Sequence, residues 1–394
     1  MTRALDGIRV LDVTQVMAGP FCAMVLADLG ADVVKIEPPS GDSTRQMPGA
    51  VGSDSPSFNA VNRGKRSVVL NLKSREGREI CERLARNADI VIENYRPGVM
   101  ASLGLDYAAL SQANPRIIYA SISGYGQTGP HARRGGFDLI AQGVSGIMSV
   151  TGERGGAPVK AGVPLTDLGA GLFALVGILA ALEARHRIGR GQYIDTALVD
   201  AGVALSVWEA TEFFAGAGVP AALGSAHRMN APYQAIRCAD GYITIGAAND
   251  RLFLRLCGVL AHPEWAAMAE FADNASRVRN REALAARIAS VLEQQPRAHW
   301  LELLEANDIP CGPINDYAAV FADPQVVARE MVVDVEHPAL GRIRTLGSPI
   351  KMSATPPDVS RRAPRLGEHT DEVLAEAGYS SAEIAALKKA GAVA

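Results

Sequence analysis

The residue of this chain best suited to covalent chemistry is Asp167, which lies in the segment VPLTDLGAG (Val163–Gly171). It opens an apolar stretch that predicts a long helix over Asp167–His186. An aspartate at a helix start is usually an N-cap that accepts backbone N–H bonds. The glycines after Asp167 favour a second interpretation, that Asp167 is a nucleophile. They would let a bulky ligand approach a carboxylate that the helix dipole keeps ionised. Such a carboxylate could attack a thioester or phosphoryl centre.

A second set of residues could bind an anion, because basic side chains recur in loops beside the predicted strand ends. These residues are Arg45, Lys65, Arg66, Lys73, Arg96, Arg133 and Arg134. Surface charges are usually only solvated, but this recurrence along one edge of a sheet favours a polyanionic ligand. The net charge of −3 provides no global positive field for nucleic acid. A phosphate-bearing ligand would therefore need a local site.

Several common kinds of site are disfavoured by missing motifs. The first strand–helix turn, Thr14–Pro20 (TQVMAGP), has one glycine where a dinucleotide fold would need GxGxxG, although Glu37 resembles the ribose-binding acid. A nicotinamide enzyme is therefore disfavoured. The sequence has no HExxH or HxxxH pair, no GxSxG and no GxxxxGK[ST], so we expect no metal site, hydrolase elbow or Walker-type nucleotide site.

Composition and cysteine usage predict a globular protein of the cytoplasm. Of the 394 residues, 48% are hydrophobic and 21% are charged, which excludes a disordered or fibrous chain. The five scattered cysteines have no metal-binding spacing and are expected to be buried thiols. Met1–Leu5 does not resemble a signal peptide. The longest apolar run, Leu168–Leu182, is short for a membrane span and predicts a buried helix, so we expect no membrane association.

Strand and helix signals alternate along the first half of the chain. The predicted strands are Gly7–Thr14, Asp32–Glu37, Ser67–Leu72, Ile90–Glu93, Arg116–Ser123 and Tyr193–Ala197. Helical patterns separate them, as in Ala18–Gly30 and Ser74–Ala88. This alternation predicts an α/β fold with a parallel, Rossmann-like sheet that binds its ligand beyond the carboxyl ends of the strands.

A change of texture after the middle of the chain predicts a second domain. We expect residues 1–200 and 323–394 to form a large, ligand-binding α/β domain, with 201–225 as a linker. Residues 226–322, where a strand precedes charged amphipathic helices, are expected to form a smaller α+β domain.

Seven segments carry a resemblance to a known family. They are Leu5–Asp42, Asn62–Glu79, IENYRPGV (Ile92–Val99), Gly135–Gly152, GRGQYID (Gly189–Asp195), IPCGPIND (Ile309–Asp316) and APRLGEHTDEVL (Ala363–Leu374). Together they resemble the class III CoA-transferases, the family of formyl-CoA transferase and carnitine CoA-transferase. The stretch Gly224–Asp250 is similar to the succinate–hydroxymethylglutarate CoA-transferase branch.

The resemblance implies an acyl-transfer mechanism with Asp167 as the nucleophile. Its carboxylate would attack the donor acyl-CoA, giving a mixed anhydride and then an aspartyl-CoA thioester, from which the acceptor acid would take CoA. Each step exchanges activated acyl groups, so no ATP, metal or permanently bound cofactor is needed. CoA and its thioesters are substrates. The family also implies an interlocked homodimer.

The same resemblance places CoA binding on particular positions. They are Met17, Ala18, Leu70, Asn71, Leu72, Lys73, Asn94, Tyr95, Arg96, Arg134, Phe137 and Asp138. To these we add Arg45, from the set of loop cations described above.

Departures from the family pattern bear on the substrate and on the alternatives. Formyl-CoA transferase has a glutamine at Met17, a basic residue at Ser102 and a glycine-rich loop that has no match here. Oxalate and formate are therefore disfavoured, and a small dicarboxylate is preferred. The related α-methylacyl-CoA racemase has a second base, a histidine, where this chain has Phe137. A racemase-like isomerase and a non-catalytic CoA-binding protein remain the alternatives.

Overall fold

A central parallel sheet organises the larger part of the chain. The computed structural model describes residues 2–49, 55–338 and 340–394. Six parallel strands are hydrogen-bonded in the order β3-β2-β1-β4-β5-β6. They are β1 (Arg9–Val13), β2 (Asp32–Glu37), β3 (Arg66–Val69), β4 (Ile90–Glu93), β5 (Ile118–Ser123) and β6 (Tyr193–Ala197). This is the Rossmann strand order, and it confirms the predicted α/β fold with a parallel sheet.

Helices surround the strands and continue through the rest of the chain. In chain order they are α1 (Ala18–Asp28), α2 (Pro56–Asn62), α3 (Arg75–Arg86), α4 (Val99–Leu103), α5 (Tyr107–Ala113), α6 (Asp138–Val144), α7 (Ile147–Val150), α8 (Leu165–Ile188), α9 (Leu198–Leu205), α10 (Val207–Phe214), α11 (Asp250–Val259), α12 (Asn274–Arg279), α13 (Arg281–Leu292), α14 (Arg297–Glu305), α15 (Tyr317–Ala322), α16 (Pro324–Ala328), α17 (Thr370–Glu376) and α18 (Ser381–Lys389). Short 3₁₀ helices lie at Ser43–Gln46 and Pro263–Ala267.

The central strands are apolar on both faces because both faces are covered. Successive side chains of a strand point to opposite faces, so Val10 and Leu11 enter different cores. Val10 belongs to the core that contains α1 and α8, whereas Leu11 belongs to the one that contains α3 and α17. Fully covered parallel strands read as continuous Val/Ile runs, which is the signal that predicted them.

The long apolar helix α8 packs along the sheet. By length and composition it could cross a membrane, but half of its most apolar stretch is buried inside the protein. It contacts α1 and α9 as well as strands β5 and β6. The opposite side of the helix leaves Leu172, Phe173 and Val176 exposed, so the helix has an apolar face that the single chain does not cover.

The chain divides into two compact units. The larger comprises residues 1–147, 160–215 and 324–394, and the smaller comprises 148–159 and 216–323. The smaller unit therefore starts before the predicted boundary at 226 and includes a segment from the first half of the chain. Residues 201–225, predicted as a linker, contain most of α9 and all of α10. Since α9 packs on α6 and α8, this part of the segment belongs to the folded larger unit.

Two small antiparallel sheets complete the fold. In the smaller unit, β7 (Tyr233–Cys238), β8 (Gly241–Gly246) and β9 (Cys311–Pro313) form a three-stranded sheet. Its core includes Ile243 and Phe253, with residues from α13 and α14. In the larger unit, β10 (Val332–His337) pairs with β11 (Gly341–Leu346). The smaller unit is thus an α+β structure with its own core.

A group of four charged side chains is buried at the carboxyl edge of β1 and β2. We call it the buried ion cluster: Asp12, Lys35, Asp42 and Lys65, each 3% exposed or less. Lys65 Nζ lies 2.8 Å from Asp12 Oδ2, and Lys35 Nζ lies 3.0 Å from Asp42 Oδ2. Removing one partner of such a pair leaves an uncompensated buried charge, at a cost of about 3–5 kcal/mol.

The buried ion cluster holds the loop between β1 and α1. Lys35 Nζ donates to the carbonyl oxygen of Thr14 at 2.9 Å. Lys65 Nζ donates to the carbonyl oxygen of Pro20, also at 2.9 Å. Both ends of the Thr14–Pro20 turn are therefore fixed by buried ammonium groups. This turn carries residues of the site described next.

Candidate active site

A cavity of about 370 Å³ opens at the carboxyl edge of the sheet, in the larger unit. Loops that follow β1, β4 and β5 meet there, as expected for a ligand site in a fold of this type. Eight of the predicted site residues line it, namely Met17, Ala18, Asn94, Tyr95, Arg96, Arg134, Phe137 and Asp167. The structure thus gathers residues that are up to 150 positions apart in the sequence, from Met17 to Asp167.

Asp167 lies in the first turn of α8 and is not its N-cap. The helix begins at Leu165, and Pro164, at the N-cap position, provides no side-chain bond. The cap comes from α6 instead. Asp138 Oδ1 accepts the backbone N–H of Thr166 at 3.0 Å, the Thr166 hydroxyl at 2.8 Å and, at 3.4 Å, the N–H of Asp167. Because Asp138 does the capping, the carboxylate of Asp167 is left for the cavity.

The environment of Asp167 makes its carboxylate more basic than usual. Burial raises its pKa to about 6, and the charge of Asp138 adds to this effect. The expectation that the helix dipole alone decides the charge is therefore incomplete, because desolvation opposes the dipole. At neutral pH the group is still mainly ionised. Chemistry that needs this carboxylate is expected to decline as the pH falls through about 6.

The glycines after Asp167 serve helix packing and not ligand access. A Cβ at Gly171 would lie 2.6 Å from the carbonyl oxygen of Ala18. A Cβ at Gly169 would meet Leu205 at 3.1 Å and Ala201 at 3.4 Å. Both glycines are buried. The prediction that they make room for a ligand is wrong: they let α8 approach the β1–α1 turn and α9 closely.

The walls of the cavity are tied together by Asn94. Its side-chain Oδ1 accepts the N–H of Gln15 at 2.8 Å, and its Nδ2 donates to the carbonyl oxygen of Gln15 at 2.7 Å. The next residue, Val16, has a φ of 70°, which a β-branched residue rarely adopts. The amide of Asn94 thus holds the β1–α1 turn and the loop after β4 together, with Met17 and Ala18 on the cavity wall.

The predicted loop cations fall into two groups. Arg96 and Arg134 are exposed, line the cavity and form no ion pair with any other described residue. Three others form ion pairs with other residues of the chain: Lys65 and Arg45 with the buried acids Asp12 and Glu37, and Arg66 nearer the surface with Asp32, Glu372 and Glu376. Lys73 and Arg133 are exposed and do not line the cavity. Internal ion pairs therefore explain part of the cation pattern that suggested a polyanion.

Arg45 is the predicted CoA-binding residue that fits its role least. It is 1% exposed, and both Nε and Nη2 lie 2.7 Å from the Glu37 carboxylate. Its guanidinium stacks 3.5 Å from the ring centroid of Phe58. This side chain is structural here: it neutralises Glu37, the acid that resembled a ribose-binding residue.

The remaining predicted positions lie outside the cavity lining. Leu70 is fully buried and forms an antiparallel bridge with Val393. The N–H of Asn71 donates to the carbonyl oxygen of Ala392 at 2.9 Å. Leu72 packs at the edge of the core that contains α3. The Leu70–Lys73 segment therefore joins the C-terminal residues, and a CoA contact there would have to be made on the surface.

Sequence reasoning missed two features of the cavity. A Cβ at Gly124 would lie 2.7 Å from Cα of Gly136, so two backbone segments of the cavity wall touch. The doublet Gly135–Gly136 was a visible signal of such a close approach. The second is Glu93, which is buried next to the lining residues Asn94 and Tyr95 and does not itself line the cavity. It accepts the Tyr95 N–H at 2.8 Å, and burial raises its pKa to about 7. A single acidic residue at a strand end carries no sequence signal of this.

Within the described ranges, no group of three His, Cys, Asp or Glu side chains is arranged to hold a metal ion. The site therefore consists of one carboxylate with a raised pKa, two guanidinium groups that have no ion-pair partner among the described residues, and backbone walls held by hydrogen bonds of Asn94 and the buried ion cluster. This arrangement suits transfer of an acyl group from an anionic ligand.

The fold and the site define an α/β protein with a cavity at the carboxyl edge of a Rossmann-like sheet. A family model described as "CoA-transferase family III" matches residues 5–370, so the chain belongs to that family and is a transferase. This confirms the resemblance inferred from the sequence segments.

The chain is similar to individual relatives over nearly its whole length. The chain is 40% identical over 394 residues to "Succinyl-CoA:glutarate CoA-transferase" of Homo sapiens, covering 99% of this chain and 90% of that protein. It is 42% identical over 371 residues to "Acetyl-CoA:oxalate CoA-transferase" of Acetobacter aceti, covering 92% and 93%. A solved structure of a CAIB/BAIF family protein from Brucella suis has a TM-score of 0.86 and 40% identity, covering 96% of this chain and 100% of that one.

Proposed function

We propose that this enzyme moves CoA from an acyl-CoA thioester to a small dicarboxylate, with Asp167 as the nucleophile. The observation that carries the proposal is the position of Asp167, a partly buried carboxylate in a cavity that also contains Arg96 and Arg134. A buried carboxylate is poorly solvated, and desolvation favours its attack on a carbonyl carbon.

The reaction balances without water, metal or nucleotide. A carboxylate oxygen of Asp167 attacks the thioester carbonyl of the donor, the C–S bond breaks and CoA thiolate leaves, giving a mixed anhydride. The thiolate attacks Cγ of Asp167 and releases the donor acid, leaving an aspartyl-CoA thioester. The acceptor carboxylate attacks Cγ in turn and displaces the thiolate. The thiolate then attacks the acceptor acyl carbon and regenerates Asp167.

Arg96 and Arg134 are proposed to bind the phosphates of CoA. Both guanidinium groups lack an ion-pair partner among the described residues and line the cavity, and guanidinium binds phosphate with two parallel hydrogen bonds. We expect Arg134→Ala to raise KM for acyl-CoA by about 10-fold and to change kcat little, because the lost contact is made equally in the ground and transition states. The matched control is Arg133→Ala, an exposed neighbour outside the cavity, which should leave KM unchanged. Equal effects of the two substitutions would contradict this assignment.

A dicarboxylate is supported as the acceptor by the relatives. The two named above are called after glutarate and oxalate, and both are dicarboxylates. The argument against oxalate from the family departures loses weight, because the relative named for oxalate is as similar as the one named for glutarate. The number of carbon atoms between the two carboxylates of the acceptor is therefore the property to measure.

The racemase alternative is disfavoured by Phe137. It precedes α6 at the rim of the cavity and is 72% exposed. A racemase needs two opposed bases to exchange an α-proton, and a phenyl ring has no proton to exchange. Phe137 instead offers an apolar surface to an acyl or pantetheine chain.

The exposed apolar surface of α8 and its neighbours supports the proposed homodimer. Phe173 and Val176 on α8, Val203 on α9 and Trp208 and Phe214 on α10 are each at least 42% exposed. Monomeric proteins rarely expose so many large apolar side chains on adjoining helices. Light scattering should therefore give twice the 41.5 kDa mass of the chain. A monomer at micromolar concentration would contradict the dimer.

A cytoplasmic location is also proposed, and the described cysteines, all of them free thiols, agree with a reducing compartment. Interlocking of the two chains is expected from the family alone.

One experiment separates the proposed function from its alternatives. Succinyl-CoA is incubated with a series of dicarboxylates of increasing length and with matched monocarboxylates, and products are detected by mass. New acyl-CoA species formed only from dicarboxylates would support the proposal. Exchange of the α-deuterium of a branched acyl-CoA with no transfer would favour the racemase. Saturable CoA binding without either product would favour a binding protein.

A further inference from the structure

We propose that Gln142 is a positioning residue for acyl transfer, whose buried side-chain amide holds Asp138 as the cap of α8 and thereby fixes the carboxylate of Asp167 in the cavity. The inference rests on the proposed nucleophilic role of Asp167. It assigns a function to a glutamine that neither touches the cavity nor faces solvent.

Gln142 lies on α6, one helical turn after Asp138, and is fully buried. Its Nε2 donates to Asp138 Oδ2 at 2.7 Å, and its Oε1 accepts the backbone N–H of Ala161 at 2.9 Å. A buried amide with both ends bonded has one orientation available. One side chain therefore binds the cap residue and, at the same time, the segment that leads into α8.

Asp138 needs this second bond to hold its position. Its Oδ1 is occupied by donors from the start of α8, namely the N–H and hydroxyl of Thr166 and the N–H of Asp167. The donor from Gln142 occupies Oδ2 and prevents the carboxylate from rotating away from the helix. All the partners are donors, which suits an ionised carboxylate. Asp138 thus remains next to Asp167 as a negative charge.

These hydrogen bonds join α6, the segment before α8 and the first turn of α8, which carries the nucleophile. Gln142 fixes Ala161, six residues before Asp167, and Asp138 fixes Thr166 and Asp167 themselves. Thr166 is fully buried, so the first turn of α8 cannot shift without breaking these bonds. Near-attack geometry is sensitive to displacements of about 1 Å, which can cost about 100-fold in rate.

Other charged side chains lie on the elements around these contacts. Lys160 donates to the carbonyl oxygen of Ala161 at 3.0 Å. Arg96 and Arg134 lie on the cavity wall, and Asp200 is exposed on α9, which packs on α6. These groups are the same in each variant below, so a difference between variants reports on Gln142 and Asp138.

The most informative variant is Gln142→Glu, which has the same shape. While protonated, the new carboxyl donates to Asp138 as the amide does and still accepts from Ala161. Once ionised, it repels Asp138 at a distance near 2.7 Å. Wild-type kcat should rise as the pH increases through about 6. We expect kcat of the variant, relative to wild type, to fall at least 10-fold between about pH 6 and pH 8, with KM for acyl-CoA unchanged.

Gln142→Leu removes the bond at every pH. We expect kcat to fall about 10- to 100-fold. If Asp138 turns away, Asp167 loses its negative neighbour, and the acid limb of the profile should move to lower pH. Asn114→Leu is the matched control: Asn114 donates to the carbonyl oxygens of Ala85 and Ala88, away from the cavity. Asn114→Leu should lower the melting temperature but leave the acid limb of the kcat–pH profile at the same pH as in wild type.

The outcomes are separable. If both Gln142 variants match wild type in kcat and in pH profile while Asp167→Asn is inactive, the positioning role is wrong and the nucleophile stands. If Asp167→Asn retains turnover, the proposed function itself is wrong. If Gln142→Leu does not fold, Gln142→Glu decides, with circular dichroism over the same pH range showing that the variant remains folded.

Discussion

Replacing Asp167 with asparagine should lower kcat for CoA transfer by at least about 10⁴-fold, because no other described residue that lines the cavity carries a carboxylate. The amide has the same shape but does not attack a thioester. CoA should still bind, since Arg96 and Arg134 are unchanged. Asp200→Asn, which changes an exposed side chain of α9 outside the cavity lining, is the matched control and should retain wild-type turnover.

The same substitution should make the folded protein more stable at neutral pH. The folded-state pKa of Asp167, about 6, lies above the ordinary value of 3.8 for an aspartate. An acid whose pKa is raised by folding destabilises the folded state above the folded pKa, where it must be ionised, and not below the unfolded pKa, where it is protonated in both states. The gain at pH 7 should be on the order of 2–3 kcal/mol, visible as a higher Tm that is absent near pH 4.

Trapping identifies the residue that forms the intermediate. Hydroxylamine added during turnover should convert Asp167 to a hydroxamate detectable by peptide mass. Label on Asp138 instead would move the nucleophile to the neighbouring carboxylate. Wild-type turnover by Asp167→Asn would overturn the proposed mechanism altogether.

Gly171→Ala should impair both stability and catalysis, although alanine favours helix by about 1 kcal/mol over glycine. The new Cβ would lie 2.6 Å from the carbonyl oxygen of Ala18, and a backbone atom cannot move aside as a side chain can. Either α8 or the β1–α1 turn must shift, and Asp167 or Met17 moves with it. We expect a net loss of about 1–3 kcal/mol and a fall in kcat of about 10- to 100-fold.

Gly177→Ala provides the control on the same helix. The new Cβ would meet only the side chain of Ile194, at 3.1 Å, which can yield by a small rotation. Unfolding by denaturant and steady-state kinetics should show Gly177→Ala close to wild type. Equal losses at the two positions would show that a general helix effect, rather than the contact with Ala18, is responsible.

The sheet could be predicted from the sequence because the pattern that forms it is local. Val/Ile runs such as β4 need burial on both faces, and the helices between them make the strands parallel. Asp167 could also be selected, because it opens the longest apolar helix. These two features depend on residues that are neighbours in the chain.

The rest of the site depends on contacts between distant segments. Nothing near Asp167 shows that its helix is capped from α6 by Asp138, so the simple N-cap interpretation could not be rejected from the sequence. The partner of Arg45 is Glu37, eight residues away. The sequence alone does not distinguish an arginine that pairs with Glu37 from one that binds a phosphate. The glycines at 169 and 171 indicated a close approach, but not that the approaching groups were side chains of α9 at Gly169 and the backbone of Ala18 at Gly171.

The buried ion cluster limits how this sequence can change over evolutionary time. A single substitution at Asp12 or Lys65 leaves the other charge buried alone, whereas changing both to apolar residues of similar size is often neutral or stabilising. Replacing Asp12 and Lys65 by apolar residues therefore requires two nearly simultaneous substitutions. Even then, the apolar pair lacks the hydrogen bond from Lys65 to the carbonyl oxygen of Pro20. Drift at these four positions should be slow, and chains that diverge there should differ at both members of a pair.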